Sequence, residues 1–420
     1  MTTTTIDPPT RARTTDRPFG FVVLIGLLTL LPAVATDMYL PSLPEVAGEL
    51  GASDAAVQFT ITGMLIGGAI GQLVVGPFSD RVGRRLPVMI GVGLHGVLSL
   101  LCAVAVTIEQ LQTVRVLQGL ASAGATVVAM AMIRDRYAGS EAARLMSRLV
   151  LVIAVAPLFA PTVGGFVAGL WGWRAVFVAL ALLALALLVL VVVALPETLP
   201  PERRADHGVR RLVHGYVDLL HDRQFVALGV IPGLGMAVIM SYVSGSPFVL
   251  RDGFGLTAQE FSVVFAIGGT ALVVGSQVNA ALVRRVGPLR LLRLGAPASA
   301  FLTGVLVLVA WTGAGGLAGF VVALWFALAL LGLVMANASA LALSRHGERA
   351  GTAAATIGFI QTALAGAVSP LVGVLGGGAL AMTGVMFASM ATATLVLALA
   401  TPAYRRDGGL DLAEVSPRLA

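Results

Sequence analysis

Ten stretches of this chain contain no aspartate, glutamate, lysine or arginine, and they constrain its fold more than any other feature. Eight have the length of one membrane crossing: Phe19–Thr36, Ala55–Ser79, Leu86–Ile108, Val116–Ile133, Leu149–Trp173, Ala175–Pro196, Gln224–Leu250 and Phe261–Val283. A helix crosses about 30 Å of hydrocarbon in roughly 20 apolar residues. The other two, Leu294–Ser344 and Ala350–Tyr404, are 51 and 55 residues long. Each suits two crossings, with glycine-rich breaks at Thr312–Gly316 and Gly376–Gly378. The expectation is an all-α membrane protein of twelve transmembrane helices. Only 11% of the residues are charged, against roughly 25% in a soluble domain, so the chain could not cover a water-facing surface.

The side-chain inventory removes whole classes of chemistry. All 27 basic residues are arginine. Without lysine there is no phosphate-binding Walker loop and no Schiff-base chemistry, so the chain does not drive itself by ATP hydrolysis. Cys102 is the single cysteine, which excludes an internal disulfide and a cysteine-built zinc or iron–sulfur site. No metal, cofactor or enzymatic reaction is expected. His95 is the only histidine within a span, and no acid or nucleophile is placed beside it. The net charge of +6 points to membrane orientation and not to nucleic acid, because the arginines sit in short loops.

Apart from Arg115, inside the fourth span, the arginines fall in the termini and even-numbered loops, with Arg174 and Arg251 as exceptions. The positive-inside rule then places both termini in the cytoplasm. Glu45, Glu49 and Asp54 mark the outer first loop. Arg11, Arg13 and Arg17, followed by Phe19–Leu31 and Ala33-Val34-Ala35, imitate a cleavable leader, but a retained first span is the reading adopted. Gly91–Gly96 spells GxGxxG in mid-span with no preceding strand, which reads as helix packing.

The largest polar break, Pro196–Arg223, divides the chain into two six-helix halves. The expected organisation is a cytoplasmic tail over 1–18, a first half over 19–196, a linker over 197–223, a second half over 224–404 and a cytoplasmic tail over 405–420. A gapless shift of 204 residues pairs Ala33-Val34 with Ala237-Val238, Gly51 with Gly255, and Ser53 with Thr257. It also pairs Arg81-Val82-Gly83 with Arg285-Val286-Gly287. Ser53 and Thr257 are suited to cap helices, and Gly83 and Gly287 to make tight turns. In the linker, Leu212, Val213, Tyr216, Val217, Leu219 and Leu220 share one helical face, which suits an interfacial helix. His207, His214 and His221 recur every seven residues near Asp218. A metal site is conceivable there, and a solvated face is the competing reading adopted.

Several motifs run along the chain: TDMYLPSLP at Thr36–Pro44, GPFSDRVGRR at Gly76–Arg85, RVLQG at Arg115–Gly119 and APLFAPTVGG at Ala156–Gly165. WRAVF at Trp173–Phe177, LPETL at Leu195–Leu199 and SPFVLRDGFGLT at Ser246–Thr257 accompany them. Together they resemble the major facilitator superfamily, and within it the Bcr/CflA type of drug:proton antiporter, which exports bicyclomycin, chloramphenicol and related compounds. The resemblance covers nearly the whole chain. It implies the major facilitator fold with two pseudo-symmetric halves, a monomer in the cytoplasmic (inner) membrane, and a small-molecule drug and protons as partners beside the lipid bilayer. A proton-coupled nutrient importer, or an exporter dedicated to one endogenous metabolite, are the alternatives.

Asp37 follows 18 uncharged residues, which places it in the outer half of the membrane. An acid there is costly when ionised, so its protonation responds to which side has access. The competing reading is an interfacial acid beside Tyr39. Arg115 is about 10 Å deep by helical rise, at a depth similar to Asp37, and a mid-membrane arginine is a functional candidate. By resemblance Asp37 and Arg115 form the proton-coupling pair. Gly76, Asp80, Arg81, Gly83, Arg84 and Arg85 would form a conformational latch, with Asp80 reaching a helix terminus or an arginine across the half interface. Pro157, Pro161, Gly164 and Gly165 would form the antiporter motif of the fifth helix. Tyr39, Met64, Gln118, Met236, Met240, Tyr242, Asn337 and Gln361 are candidates for the cavity wall, methionine and aromatic groups being suited to loose binding of varied apolar compounds.

Overall fold

Among the described residues, the uncharged stretches are mostly helical. The computed structural model describes residues 18–137, 145, 159–204, 217–344, 346 and 350–401. The long helices of the first half are α1 (Pro18–Asp37), α2 (Asp54–Val82), α3 (Arg85–Ala103) and α4 (Ile108–Arg136). They are followed by α5 (Phe159–Trp171) and α6 (Trp173–Ala194). The second half holds α7 (Arg223–Pro247), α8 (Ala258–Val286) and α9 (Pro288–Thr312). It ends with α10 (Gly316–Ser344), α11 (Ala350–Val368) and α12 (Ala379–Ala400). Eleven helices among the described residues are long and apolar enough to cross a membrane, and α5 is a shorter apolar helix where the fifth span is expected. Leu149–Leu158, and with them Pro157, lie outside the described residues, as do His207, His214 and the linker positions Leu212, Val213 and Tyr216.

Glycine divides the two long stretches. Gly313, Gly315 and Gly316 turn between α9 and α10 with φ of 67°, 72° and 56°, the left-handed region that side chains disfavour. Before α12, Gly376 and Gly377 do the same at 103° and 68°.

The sequence repeat is a repeat of structure. Ser53 Oγ accepts from Ala56 N at the start of α2, and Thr257 Oγ1 accepts from Glu260 N at the start of α8. Gly51 and Gly255 have φ of 59° and 72°, and Gly83 and Gly287 have 104° and 84°. Packing follows the same scheme: α2 lies on α4 as α8 lies on α10, and α3 on α4 and α6 as α9 on α10 and α12. Likewise α1 contacts α4 and α6 as α7 contacts α10 and α12.

The closest crossings are made by glycine. A Cβ at Gly67 of α2 would overlap the Val116 carbonyl, one at Gly119 of α4 would overlap that of Met64, and one at Gly71 would sit 2.7 Å from Leu120 O. At the position equivalent to Gly71, a Cβ on Gly275 would overlap the Ala329 carbonyl of α10. In lipid, helices associate by such backbone contact and not by hydrophobic drive. The GxGxxG string serves the same end: a Cβ at Gly91 would meet Ala121 O at 2.7 Å, and one at Gly96 would meet Ala184 Cβ at 3.3 Å. Gly67→Val should therefore destabilise the protein by about 3 kcal/mol through overpacking, read as a lower melting temperature in detergent. Gly384→Ala, where nothing lies within 4 Å, should leave the melting temperature unchanged.

Candidate functional site

Between the two halves lies a cavity of about 380 Å³. Its walls are helical stripes at spacings of three and four residues. α1 contributes Thr29, Pro32, Ala33, Thr36 and Asp37, α4 contributes Gly119, Ser122, Ala123 and Thr126, and α7 contributes Met236, Ile239, Met240 and Val243. Tyr242 of α7, Met64, Leu65, Gly68 and Gln72 of α2, Phe265, Gly269 and Leu272 of α8, and Thr362 of α11 complete it. Asp37 is the one carboxylate in this lining and no arginine joins it. A mostly apolar concavity with few convergent polar groups is the general form of a small-molecule site.

Of the residues singled out in the sequence, Asp37, Met64, Met236, Met240 and Tyr242 line the cavity. The others stand behind its wall. Tyr39 is completely buried, its ring 5.0 Å from that of Phe177, and its hydroxyl accepts from Thr60 Oγ1. An interfacial belt position for Tyr39 is thereby replaced by a packed one. Gln118 is buried against α3 and donates to Ser99 Oγ. Asn337 donates to Asn279 Oδ1 at 2.6 Å, joining α10 to α8. Gln361 is half-buried and outside the lining, next to Thr362. Ser122, Thr36 and Phe265 were missed, although the stripe Gly119, Ser122, Ala123, Thr126 differs visibly from the leucine- and valine-rich faces that meet lipid.

Arg115 and Asp37 are on neighbouring helices, yet Arg115 is held by other groups. It is fully buried, donating from Nη1 to Gln118 Oε1 at 2.7 Å and to Ala35 O at 3.3 Å. Its Cζ lies 5.3 Å from the Tyr39 ring centroid and 5.8 Å from that of Phe177. These contacts compensate a cation removed from water. At the position equivalent to Asp37, Ser241 is turned to Ala237 O of its own helix, so the carboxylate belongs to one half only.

The signature turn between α2 and α3 is bound within the first half. Arg84 pairs with Asp80 at 2.6 Å and with Asp135 at 2.8 Å. Burial opposes its charge, but these two carboxylates hold it above the ordinary arginine range. Among the described contacts, Asp80 pairs with Arg84 one turn on. Glu197 of the LPETL motif enters the same turn. It accepts from the backbone N–H groups of Arg84 at 2.8 Å, Arg85 at 3.2 Å, and Thr198 and Leu199 at 3.0 Å. Gly83 makes the room, since a Cβ there would lie 2.5 Å from Glu197 Oε2. Desolvation disfavours the Glu197 charge, yet the four N–H donors outweigh it and hold the carboxyl below its usual range. Arg85 donates to Val192 O, Arg81 is exposed on the last turn of α2, and Gly76 faces Val127 of α4.

At the other end the halves touch. Arg251, in a π-helical turn over Phe248–Gly253, donates to Pro41 O and pairs with Glu45 at 3.4 Å. Ser262 of α8 shares its hydroxyl proton between Ala258 O of its own helix at 2.8 Å and Pro161 O of α5 at 3.2 Å, and a Cβ at Gly165 would meet the same hydroxyl at 3.2 Å. Gly164 packs on Met38, where a Cβ would overlap the carbonyl. The fifth-helix glycines therefore bring α5 against α1 on one side and α8 on the other.

The family model described as Major Facilitator Superfamily matches residues 25–370. An uncharacterized MFS-type transporter of Bacillus subtilis, YdgK, is 36% identical over 374 residues, which cover 89% of this chain and 93% of that protein. A bicyclomycin resistance protein homolog of Haemophilus influenzae is 29% identical, covering 84% of this chain and 89% of its own length. The multidrug resistance protein MdtL of Escherichia coli is 29% identical over 62% of this chain and 66% of its own. Among solved structures, a D-xylose-proton symporter superposes with a TM-score of 0.73 over 92% of this chain and 97% of that one. At 18% identity that likeness is one of fold.

Two outcomes follow from the ends of the bundle. A depressed carboxyl contributes stability above its ordinary range and loses it as pH falls through the folded value. Glu197→Gln should cost up to about 1 kcal/mol at neutral pH and flatten the acid side of a melting-temperature profile. Arg251→Ala should loosen the Glu45 end. A Thr36→Cys probe, against the buried Cys102, should then react about fivefold faster with an impermeant maleimide from that side.

Proposed function

The chain belongs to the Major Facilitator Superfamily, and from that premise we propose that it is a drug:proton antiporter exporting small apolar antibiotics by alternating access. It is a transporter and not an enzyme, built as a multi-pass membrane protein. The observation that carries the finer reading is Asp37, a lone carboxylate in the wall of an apolar cavity between the halves. Chloramphenicol- or bicyclomycin-like compounds fit that wall. The resistance proteins of Haemophilus influenzae and Escherichia coli among the relatives support export.

In this reading both termini are cytoplasmic, the Glu45 end is external, and the protein resides in the inner membrane. When the external end opens, Asp37 takes a proton and loses its charge, and the drug leaves for the outside. When that end closes through Arg251, Ser262 and the α5 glycines, the proton leaves to the cytoplasm and a new drug molecule enters. Arg115 reports the state of Asp37 to the rest of the half, because its partners Ala35 and Gln118 lie on α1 and α4. The driving force is adequate. One charge crossing 100 mV supplies about 2.3 kcal/mol, and a tenfold gradient takes about 1.4 kcal/mol. One proton therefore sustains on the order of a fifty-fold gradient of a neutral drug.

Inverted vesicles carrying a pH gradient test this directly. Chloramphenicol or bicyclomycin should release protons from vesicles containing the wild-type protein, and Asp37→Asn should abolish the release. Undiminished proton release in Asp37→Asn would refute the proton-site assignment. Silence of the wild type to both drugs would refute the drug assignment, and proton-driven uptake into right-side-out vesicles would replace export by import.

A further inference from the structure

A closed ring of hydrogen bonds joins α3 to α4 behind the cavity wall. His95 Nδ1 lies 2.7 Å from Ser122 Oγ, Ser122 Oγ donates to Gln118 O at 2.7 Å, Gln118 Nε2 donates to Ser99 Oγ at 2.8 Å, and Ser99 Oγ donates to His95 O at 2.7 Å. All four residues are at most 2% exposed. A carbonyl cannot donate, so with the Ser122 hydroxyl proton on Gln118 O, Ser122 accepts from a protonated Nδ1 of His95, the tautomer that leaves no N–H on the partnerless Nε2. Ser99 has likewise committed its proton to His95 O and accepts from Gln118 Nε2. That fixes the Gln118 amide with Oε1 toward Arg115, whose Nη1 it receives at 2.7 Å.

Two corners of the ring have consequences. Ser122 is part of the cavity wall. Gln118 holds Arg115, whose Nε and Nη2 have no hydrogen-bond partner among the described residues. The same guanidinium donates to Ala35 O of α1, the helix that carries Asp37. We propose that His95 and Ser99, which belong to none of the motifs that carry the family resemblance, are positioning residues for Arg115. They keep its guanidinium on Gln118. This rests on the antiport reading of the same site. Without the ring, the amide of Gln118 turns freely, Arg115 loses its fixed acceptor behind the wall that Ser122 and Asp37 share, and proton exchange no longer keeps step with the drug.

The test separates positioning from mere support. His95→Phe keeps the bulk and loses the donor, whereas His95→Asn places an amide N–H where Nδ1–H stood. Ser99→Ala removes the hydroxyl and Ser99→Thr retains it. Proton-driven chloramphenicol accumulation in vesicles should fall by on the order of tenfold in His95→Phe and Ser99→Ala, the scale of one lost buried hydrogen bond. Exchange of labelled for unlabelled chloramphenicol without a pH gradient should stay near the wild-type rate. His95→Asn and Ser99→Thr should keep both activities. Parallel loss of both activities, or no loss of accumulation, would overturn the proposal. If the wild type exchanges chloramphenicol without responding to a pH gradient, the antiport reading falls by itself. Nitrogen NMR of histidine-labelled protein then decides about the ring. A His95 protonated at Nδ1, with a signal that shifts in Ser122→Ala, supports it, and an Nε2-protonated or insensitive His95 overturns it.

Discussion

A cation inside a hydrocarbon-embedded bundle must find every partner within the bundle, and Arg115 sets the arrangement around it. An arginine at the centre of a spanning helix costs about 2.5–3.5 kcal/mol on insertion. Here the charge is met from three helices: Ala35 O from α1, Gln118 from α4 itself, and the Phe177 ring from α6, with Tyr39 just beyond α1. None of these reaches Arg115 unless α1, α4 and α6 pass within side-chain distance of one another. The packing of the first half and the compensation of its one deep charge are therefore the same fact.

That proximity depends in turn on residues without side chains. Gly67 and Gly119 let α2 and α4 meet backbone to backbone, and Gly91 and Gly96 set α3 between α4 and α6. The second half repeats the crossing through Gly275 but carries no arginine or aspartate at the equivalent depth. Pseudo-symmetry thus extends to caps, turns and helix contacts and stops at the chemistry. A duplicated scaffold with one buried arginine and one cavity carboxylate in a single half is what a carrier needs if both halves rock and only one binds the proton.

The features legible in the sequence were those with a local cause. Span lengths follow from hydrocarbon thickness, Ser53 and Thr257 from capping, Gly83 and Gly287 from backbone conformations open to glycine. Asp37 and Arg115 stood out because charge is rare there. What the sequence did not disclose depends on which way a helix face turns. Tyr39, Gln118 and Asn337 are polar or amphipathic in a span, and lining a cavity and satisfying a neighbour are equally good uses of such groups. Glu197 was legible only as part of a motif, since its target, the exposed N–H groups at the start of α3, lies 112 and 113 residues away in the chain. The wall stripe of α4 was available at spacings of three and four, but its serine, threonine and small residues read equally as packing.

The two arginines that depart from the loop-charge rule show how the ends of the bundle differ. Arg174 is bound by Glu49, which also accepts from Trp173 Nε1 at 2.6 Å, and Arg251 is bound by Glu45. Both are paired with carboxylates of the first loop, and as two arginines against the many in the termini and even-numbered loops they leave the overall bias in place. Arg174 ties the first half to itself, whereas Arg251 crosses between halves. The Arg251–Glu45 pair is partly open to water, at 18% and 40% exposure, and pairs of that kind contribute about 1 kcal/mol or less. Weakness is the useful property there. In the alternating-access reading a contact between the halves is broken in every cycle, and a bias of about 5.5 kcal/mol separates a 1:99 from a 99:1 equilibrium. Several strong cross-half bonds would hold the carrier in one state. The cluster of Arg84, Asp80, Asp135 and Glu197, with Arg84 buried at its centre and Asp80 43% exposed, joins groups of one half only, so in the alternating-access reading it is not among the contacts that must break.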